Sequence, residues 1–277
     1  MIEVKKIFSL KTKDEKENSK SKTLSESIFA KFFIEVYSIT VFSFRFFKEV
    51  LKPPYEFGEF MKQSLLIGYK SLPLIAITGF IIGLVLTIQS RPTLAKFGAE
   101  SWLPAMVAIS LIREIGPVIT ALIFAGKVGS GIGAELASMN VTEQIDAMQV
   151  SDTNPFKYLV VTRVVSATLM LPLLVVFADA VALFGTYVGV NLKGDVSALL
   201  FFPQVFQSIG FSDLFPAIIK TFAFGFAIGL IGCYKGYTSN KGTESVGKAA
   251  NSAVVLSSLM VFIIDMIAVQ ITSLLQN

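Results

Sequence analysis

Beyond Ser71 the chain consists of long apolar stretches separated by short polar breaks. The stretches run from Ser71 to Gln89 without a charge, from Ser101 to Gly126 interrupted only by Arg113 and Glu114, and from Val164 to Leu192. Two more follow, Leu214 to Tyr234 with Lys220 near one end and Ala249 to Leu275 with Asp265 inside it. A helix of about 20 apolar residues crosses the roughly 30 Å hydrocarbon core of a bilayer, so the pattern predicts about five transmembrane helices. The third stretch holds about 29 residues, about 43 Å as a helix, so it must tilt, kink or project into water, and Pro172 offers a kink.

A different pattern precedes these spans. Between Ile28 and Leu51 the polar residues Lys31, Glu35, Ser38, Arg45, Glu49 and Lys52 recur at spacings of three, four and seven, which draws one polar stripe along a helix. Phe29, Phe32, Phe33, Val36, Ile39, Phe46, Phe47 and Val50 fall opposite, and no uncharged run is long enough to span. Residues 28–54 therefore predict an interfacial helix lying on the membrane, ended by Pro53 and Pro54. Residues 1–27 read as a polar, lysine-rich tail with no apolar core of a signal peptide.

Composition changes the picture chiefly by exclusion. A chain that is 53% hydrophobic and 16% charged, with mean hydropathy +0.67, carries more apolar surface than one water-soluble core can hide. The net charge of +4 does not point to nucleic acid, because 12 of the 24 Lys and Arg precede residue 63, as a tail beside anionic lipid requires. Cys233 is the single cysteine and histidine is absent, which removes an intrachain disulfide, Ser/His dyads and His-ligated zinc. With the basic tail on the cytoplasmic side, loops 127–163 and 235–248 are cytoplasmic with Lys127, Lys157, Arg163, Lys235, Lys241 and Lys248. The outer loops then hold Arg91, Lys96 and Lys193, which satisfies the positive-inside rule. In that frame Lys220 snorkels to the outer surface, and the apolar loop 193–213 rests on it.

Small residues recur four apart within the stretches: Gly79 and Gly83, Gly129 and Gly133, Gly185 and Gly189, Gly225 and Gly229. That spacing lets helices approach closely where lipid supplies no hydrophobic drive. Two apparent nucleotide motifs do not survive their context. Gly242 to Ala249 follows the phosphate-cradling loop except that Ala249 replaces the magnesium-holding Ser or Thr, and Gly129 to Ala134 fits a loose dinucleotide fingerprint, but neither follows a strand. If this protein uses ATP, another chain binds it. The polar loop from Gly129 to Pro155 predicts a short acidic helix, starting near Val141 with Asn140 and Glu143 as a capping box and ending before Asn154.

Residues 111–155 carry a resemblance. Leu111-Ile112-Arg113-Glu114-Ile115-Gly116-Pro117, then Ala134-Glu135-Leu136, Thr142-Glu143-Gln144, Asp146 and Asn154-Pro155, look like the MlaE (YrbE) permease family. The likeness extends from about Phe60 to the C-terminus, so that 60–277 forms an MlaE-type permease domain, and includes the stretch closing at Gln89 and the run around Gly247, Lys248 and Asp265. The resemblance implies an all-α integral membrane protein with a cytoplasmic N-terminus and a short cytoplasmic coupling helix between spans 2 and 3. It also implies a homodimeric permease in the inner membrane of a double-membraned bacterium. The partners implied are an MlaF-like ABC ATPase carrying the ATP and magnesium, an MlaD-like MCE-domain protein and often an MlaB-like STAS-domain protein, with phospholipid as cargo and outer-membrane lipid asymmetry as the outcome. No cofactor is expected in this chain. By carry-over Gly79, Gly83, Leu86, Gln89, Arg113 and Glu114 border a lipid cavity, while Glu135, Met139, Thr142, Glu143, Gln144 and Asp146 couple to the ATPase.

From the residues alone two readings of Arg113 and Glu114 stay open. Mid-span charges cost roughly 2.5–3.5 kcal/mol each on insertion scales, so they face either a wet cavity or partners on other helices. Asp179 and Asp265 read as structural. The alternative function is an ion-gradient-driven secondary transporter or channel using Glu114, Asp179 and Asp265, although five spans do not divide into an inverted repeat. An intramembrane enzyme lacks a nucleophile beside a base.

Overall fold

A computed structural model describes residues 30, 33–192 and 197–276, and the chain divides after Lys48 into two units. Every regular element among the described residues is helical. Helix α1 covers 33–50, with Phe33, Val36 and Phe47 exposed, and it stops short of Pro53 and Pro54 as expected. The tail 1–27 and residues Phe29, Lys31 and Phe32 of the expected interfacial helix lie outside the described residues.

Five helical spans make the second unit. The first is α2, Phe57–Lys96. The second, Glu100–Val141, joins a 3-10 turn, α3 (Leu103–Ser110), a π turn (Leu111–Ile115), α4 (Gly116–Phe124), a second π turn (Ala125–Gly129) and α5 (Ser130–Val141). A short α6 (Gln144–Val150) leads to a third π turn (Phe156–Val161) that opens α7 (Thr162–Asn191). Then come α8 (Ala198–Ser208), α9 (Phe211–Tyr237) and α10 (Thr243–Gln276).

The helices are longer than the apolar stretches, and most of the added length lies at the end of the bundle that carries α6. α2 starts 14 residues before Ser71, α5 carries span 2 on to Val141, and span 3 begins at Phe156. The expected loop 127–163 therefore shrinks to 142–155, and 235–248 to 238–242. The reason is that α5 and α7 pair their polar residues with each other: the Arg163 guanidinium donates to Glu135 Oε1 at 2.8 Å. Helix persists in a polar stretch when a neighbouring helix satisfies its side chains, and hydropathy sees only the apolar part. Arg163 and Lys157, expected as loop charges, are buried in helix.

The four glycine pairs land on helix–helix contacts. A Cβ at Gly83 would stand 1.9 Å from the Ala182 carbonyl oxygen of α7, and one at Gly185 would stand 2.3 Å from that of Phe80 in α2. Gly225 meets the Ala167 backbone, Gly229 meets Val164, and Gly133 faces Ala249 and Ala253 of α10. These backbones touch directly, so dispersion and weak Cα–H···O contacts replace the hydrophobic drive that lipid lacks. At the other end of the bundle, α8 inserts Phe201 and Val205 among Leu103, Val107, Leu111 and Leu183 while Leu199, Leu200 and Phe206 stay exposed, an amphipathic cap over α3 and α7. Ser197 accepts from the Leu199 N–H to start it. Loop 193–213 is thus chiefly helix.

Gly83→Ala should lower the unfolding free energy in detergent by about 1–3 kcal/mol and the midpoint with it, because the added methyl has no direction in which to yield. Gly126→Ala, where nothing lies within 4 Å, should leave it unchanged or raise it slightly. Equal midpoints for the two variants would remove the close approach of α2 and α7 as a source of stability.

Candidate functional site

Span 2 passes the bilayer with its hydrogen-bond register widened at the point where its charges sit. Pro117 has no N–H to offer the Arg113 carbonyl, and the turn before it opens to π geometry, with the Gly116 N–H donating to Leu111 O. Arg113 and Glu114 leave this turn toward α9 and α10. Lys220 Nζ of α9 donates to Glu114 Oε2 at 2.7 Å and to Asp265 Oδ1 of α10 at 2.9 Å. Arg113 Nη1 lies 3.7 Å from Asp213 Oδ1, and Asp213 also accepts from the Gly210 N–H at the start of α9.

Lys220 sets the energetics. Its side chain is 4% exposed while those of Glu114 and Asp265 are 38% and 19% exposed. A lone ammonium this deep would cost several kcal/mol in desolvation, and two carboxylates offset that through short charge-assisted hydrogen bonds. The expectation that Lys220 snorkels to the outer surface is therefore corrected. The nearby acids of spans 2 and 5 hold it inside the bundle. Of the two readings left open for Glu114, the geometry shows an interhelical ion pair that ties spans 2, 4 and 5 together, and Asp265 belongs to the same cluster.

The other expected cavity residues separate into two groups. Gly79 and Gly83 face the α7 backbone and line no open space. Leu86 and Gln89 line a groove of about 340 Å³ with Ser90, Thr93, Met106 and Ser110. Ile115 borders the same groove, so one π turn touches the groove through Ile115 and the ion cluster through Glu114. Asp179 of α7 approaches the same turn from behind: a Cβ at Gly116 would stand 1.9 Å from its Oδ1, and that buried oxygen has no hydrogen-bond partner among the described residues.

At the opposite end of span 2 the expected coupling residues form a polar corner. Asn140 does not cap a helix. Its Nδ2 donates to the Ser239 carbonyl at 2.6 Å, because α5 has not ended there. Helix α6 begins at Gln144, after Glu143 turns the chain in left-handed geometry (φ 58°), so the capping box and the start near Val141 are both corrected. Lys241 reaches across from the α9–α10 turn to Asp146 at 2.9 Å and Glu143 at 3.4 Å. These hydrogen bonds, that to Asp146 first, raise the ammonium's pKa above its ordinary value. Thr142 Oγ1 donates to Ser138 O at 2.9 Å, Met139 is half-buried, Gln144 is exposed, and Val150 is 90% exposed. Glu135 is the exception in the group, since it pairs inward with Arg163. The glycine-rich run 242–249 forms the first turns of α10, where Lys248 pairs with Glu244 at 2.8 Å.

Sequence reasoning missed Asp213, the partnership of Lys220 and the anchoring of Arg163. A signal existed for Lys220, since one buried cation in span 4 demands acids and spans 2 and 5 each carry one. Only packing shows that the three meet.

Fold and site define a multi-pass helical membrane protein whose chemistry is confined to ion pairs, a groove and an exposed polar corner; no metal-holding group occurs among the described residues. A sequence model described as Permease MlaE matches residues 60–271. A probable ABC transporter permease protein of Rickettsia typhi is 41% identical over 233 residues, 84% of this chain and 90% of that one. A protein of the same description from Synechocystis is 36% identical over 203 residues, 73% and 77% of the two chains, and one from the red alga Pyropia yezoensis is 36% identical over 211 residues, 75% and 79%. The chain belongs to the MlaE permease family.

The triad makes an ordered prediction. Lys220→Met leaves two carboxylates facing each other and should cost about 3–5 kcal/mol, depleting the protein from the membrane. Glu114→Gln or Asp265→Asn alone leaves one carboxylate on Lys220 and should be milder. Membrane abundance of the three variants checks the order, and a Lys220→Met protein as abundant as wild type would refute it.

Proposed function

We propose that this chain, a permease subunit of an ABC transporter, moves phospholipid across or out of the inner membrane of a double-membraned bacterium as one half of a homodimer. ATP and magnesium belong to a separate ATPase subunit, and an MCE-domain protein, with or without a STAS-domain protein, completes the path that maintains outer-membrane lipid asymmetry. The observation that carries the reading is span 2, Glu100–Val141. One continuous helical span bears the exposed α5–α6 corner at one end and the groove and ion cluster at the other, so movement at the corner is carried to the lipid path along one element. Its two π turns lie between, where such a span bends. The groove suits lipid in having apolar walls at Leu86 and Met106 with polar Gln89, Ser90 and Ser110 among them.

The second copy is assigned to the apolar faces left exposed. α10 shows Val255, Leu259, Phe262, Met266 and Ile267 to the outside, and α2 shows Ile77, Ile81, Val85 and Ile88. Two grooves brought together enclose a path that one chain leaves open. The N-terminus and the α6 corner are assigned to the cytoplasmic side, where the ATPase resides.

Docking is tested by charge. Glu143→Lys with Asp146→Lys reverses the corner and should abolish co-purification with the ATPase, since like charges facing each other cost several kcal/mol. The same change also breaks the contact with Lys241, so Lys241→Glu is added to restore it. The triple variant should remain unable to dock; recovery of co-purification would show that these acids serve only the internal contact. Vesicles holding the chain and its ATPase should transfer phospholipid in an ATP-dependent, vanadate-sensitive manner, and ATP-independent transfer by the chain alone would overturn the assignment.

A further inference from the structure

Among the described residues three cations are buried in helical segments of the second unit, and one of them makes no ion pair there. Lys220 has Glu114 at 2.7 Å and Arg163 has Glu135 at 2.8 Å. Lys157, 7% exposed, sits in the π turn that opens span 3. Its Nζ donates to the Lys52 carbonyl and lies 5.6 Å from the centroid of the Tyr55 ring, and it makes no ion pair among the described residues. An ammonium has three donors, and one carbonyl and a ring face satisfy them poorly.

Lys157 stands between two cavities. One, of about 360 Å³, has apolar walls from Phe57, Phe60, Val161, Val165 and Leu169. The other, of about 480 Å³, is polar and includes Glu56, Asp152 and Asn154 together with the Glu49–Lys52 ion pair. Glu56 borders both. Each falls within the roughly 300–1,000 Å³ range of small-ligand sites. The apolar cavity lies where α2 and α7 begin, beside Tyr55, a residue type that settles at the headgroup level of a bilayer.

The geometry points to a binding site for one membrane phospholipid with an amine headgroup, peripheral to the transport groove. The phosphate accepts from Lys157, the amine lies among Glu56 and Asp152, and an acyl chain follows Phe60, Val165 and Leu169. A phosphate supplies the acceptor oxygens Lys157 lacks. A purely apolar occupant such as a partner's transmembrane helix would leave that cation unanswered, and Glu49, Glu56 and Asp152, which outnumber Lys52 and Lys157 in the polar cavity, disfavour an anionic headgroup. The site does not depend on which cargo the transporter carries, because its occupant is read by labelling and not by transfer.

The test uses the full chain in nanodiscs containing phosphatidylethanolamine with a photoactivatable acyl chain, and labelled peptides are mapped after illumination. Labelling is expected at Phe60, Val165 or Leu169. Lys157→Gln should lower it about tenfold, as loss of one charge-assisted hydrogen bond implies, and Leu169→Trp should lower it by filling the cavity. Both variants should keep the wild-type unfolding midpoint; if Lys157→Gln does not fold, Leu169→Trp decides the matter. Matching diacylglycerol and phosphatidylglycerol probes should label more weakly. Equal labelling by diacylglycerol, equal labelling by phosphatidylglycerol, unchanged labelling in Leu169→Trp, or a partner helix cross-linked in place of lipid would each overturn the proposal.

Discussion

The bundle depends on one ammonium group held away from water. Lys220 is reached by Glu114 from span 2 and Asp265 from span 5, so a single side chain of α9 fixes the mutual position of three spans. Buried ion pairs rarely add stability over apolar residues of the same shape, because desolvation cancels much of the attraction. What they add is a penalty for every other arrangement. A helix that slides by one turn strands a charge in hydrocarbon, and the cluster therefore specifies register where an apolar contact would tolerate slippage. Glu114 and Asp265 remain partly exposed, so the triad reaches from the buried ammonium to the surface of the chain.

Around that fixed point the helices hold one another by backbone contact. Gly83 against Ala182, Gly185 against Phe80 and Gly225 against Ala167 bring α2, α7 and α9 together at distances no side chain permits. The two devices divide the work by geometry. α2 and α7 are bound by small residues along their length, whereas span 2 meets α9 and α10 through the ion cluster at one point and through Gly129, Gly133, Gly232 and Gly236 nearer the α6 end. Span 2 is thus clamped by glycines near the corner and by charges deeper in, with a π turn at each region.

Much of this was legible beforehand, for reasons that lie in the solvent. Lipid demands continuous apolar helix, so five spans and their order followed from hydropathy, and the glycine spacing foretold close packing. The ends of the helices were not legible, because α5 and the start of α7 are polar helices stabilised by each other through Glu135 and Arg163, and hydropathy reads polar residues as loop. Asn140 and Glu143 mimicked a capping box for the same reason: the local pattern was right, but the helix into which it falls had not yet ended. At the site, Arg113 and Glu114 stood out as charges in an apolar run. Their partners Asp213 and Lys220 lie about a hundred residues further on, and no local pattern encodes a pairing set by helix packing.

Asp179 brings α7 to the same turn. Its Oδ1 is buried without a hydrogen-bond partner among the described residues and lies against Gly116, the residue that closes the π turn carrying Glu114. Only glycine leaves room there, since a methyl would overlap the carboxylate. α7 therefore touches the ion cluster indirectly, through the backbone that presents Glu114, while the opposite side of that turn touches the groove through Ile115. Groove and ion cluster thus share one turn of span 2, with Ile115 facing the first and Glu114 the second, and α7 packs against that turn through Asp179.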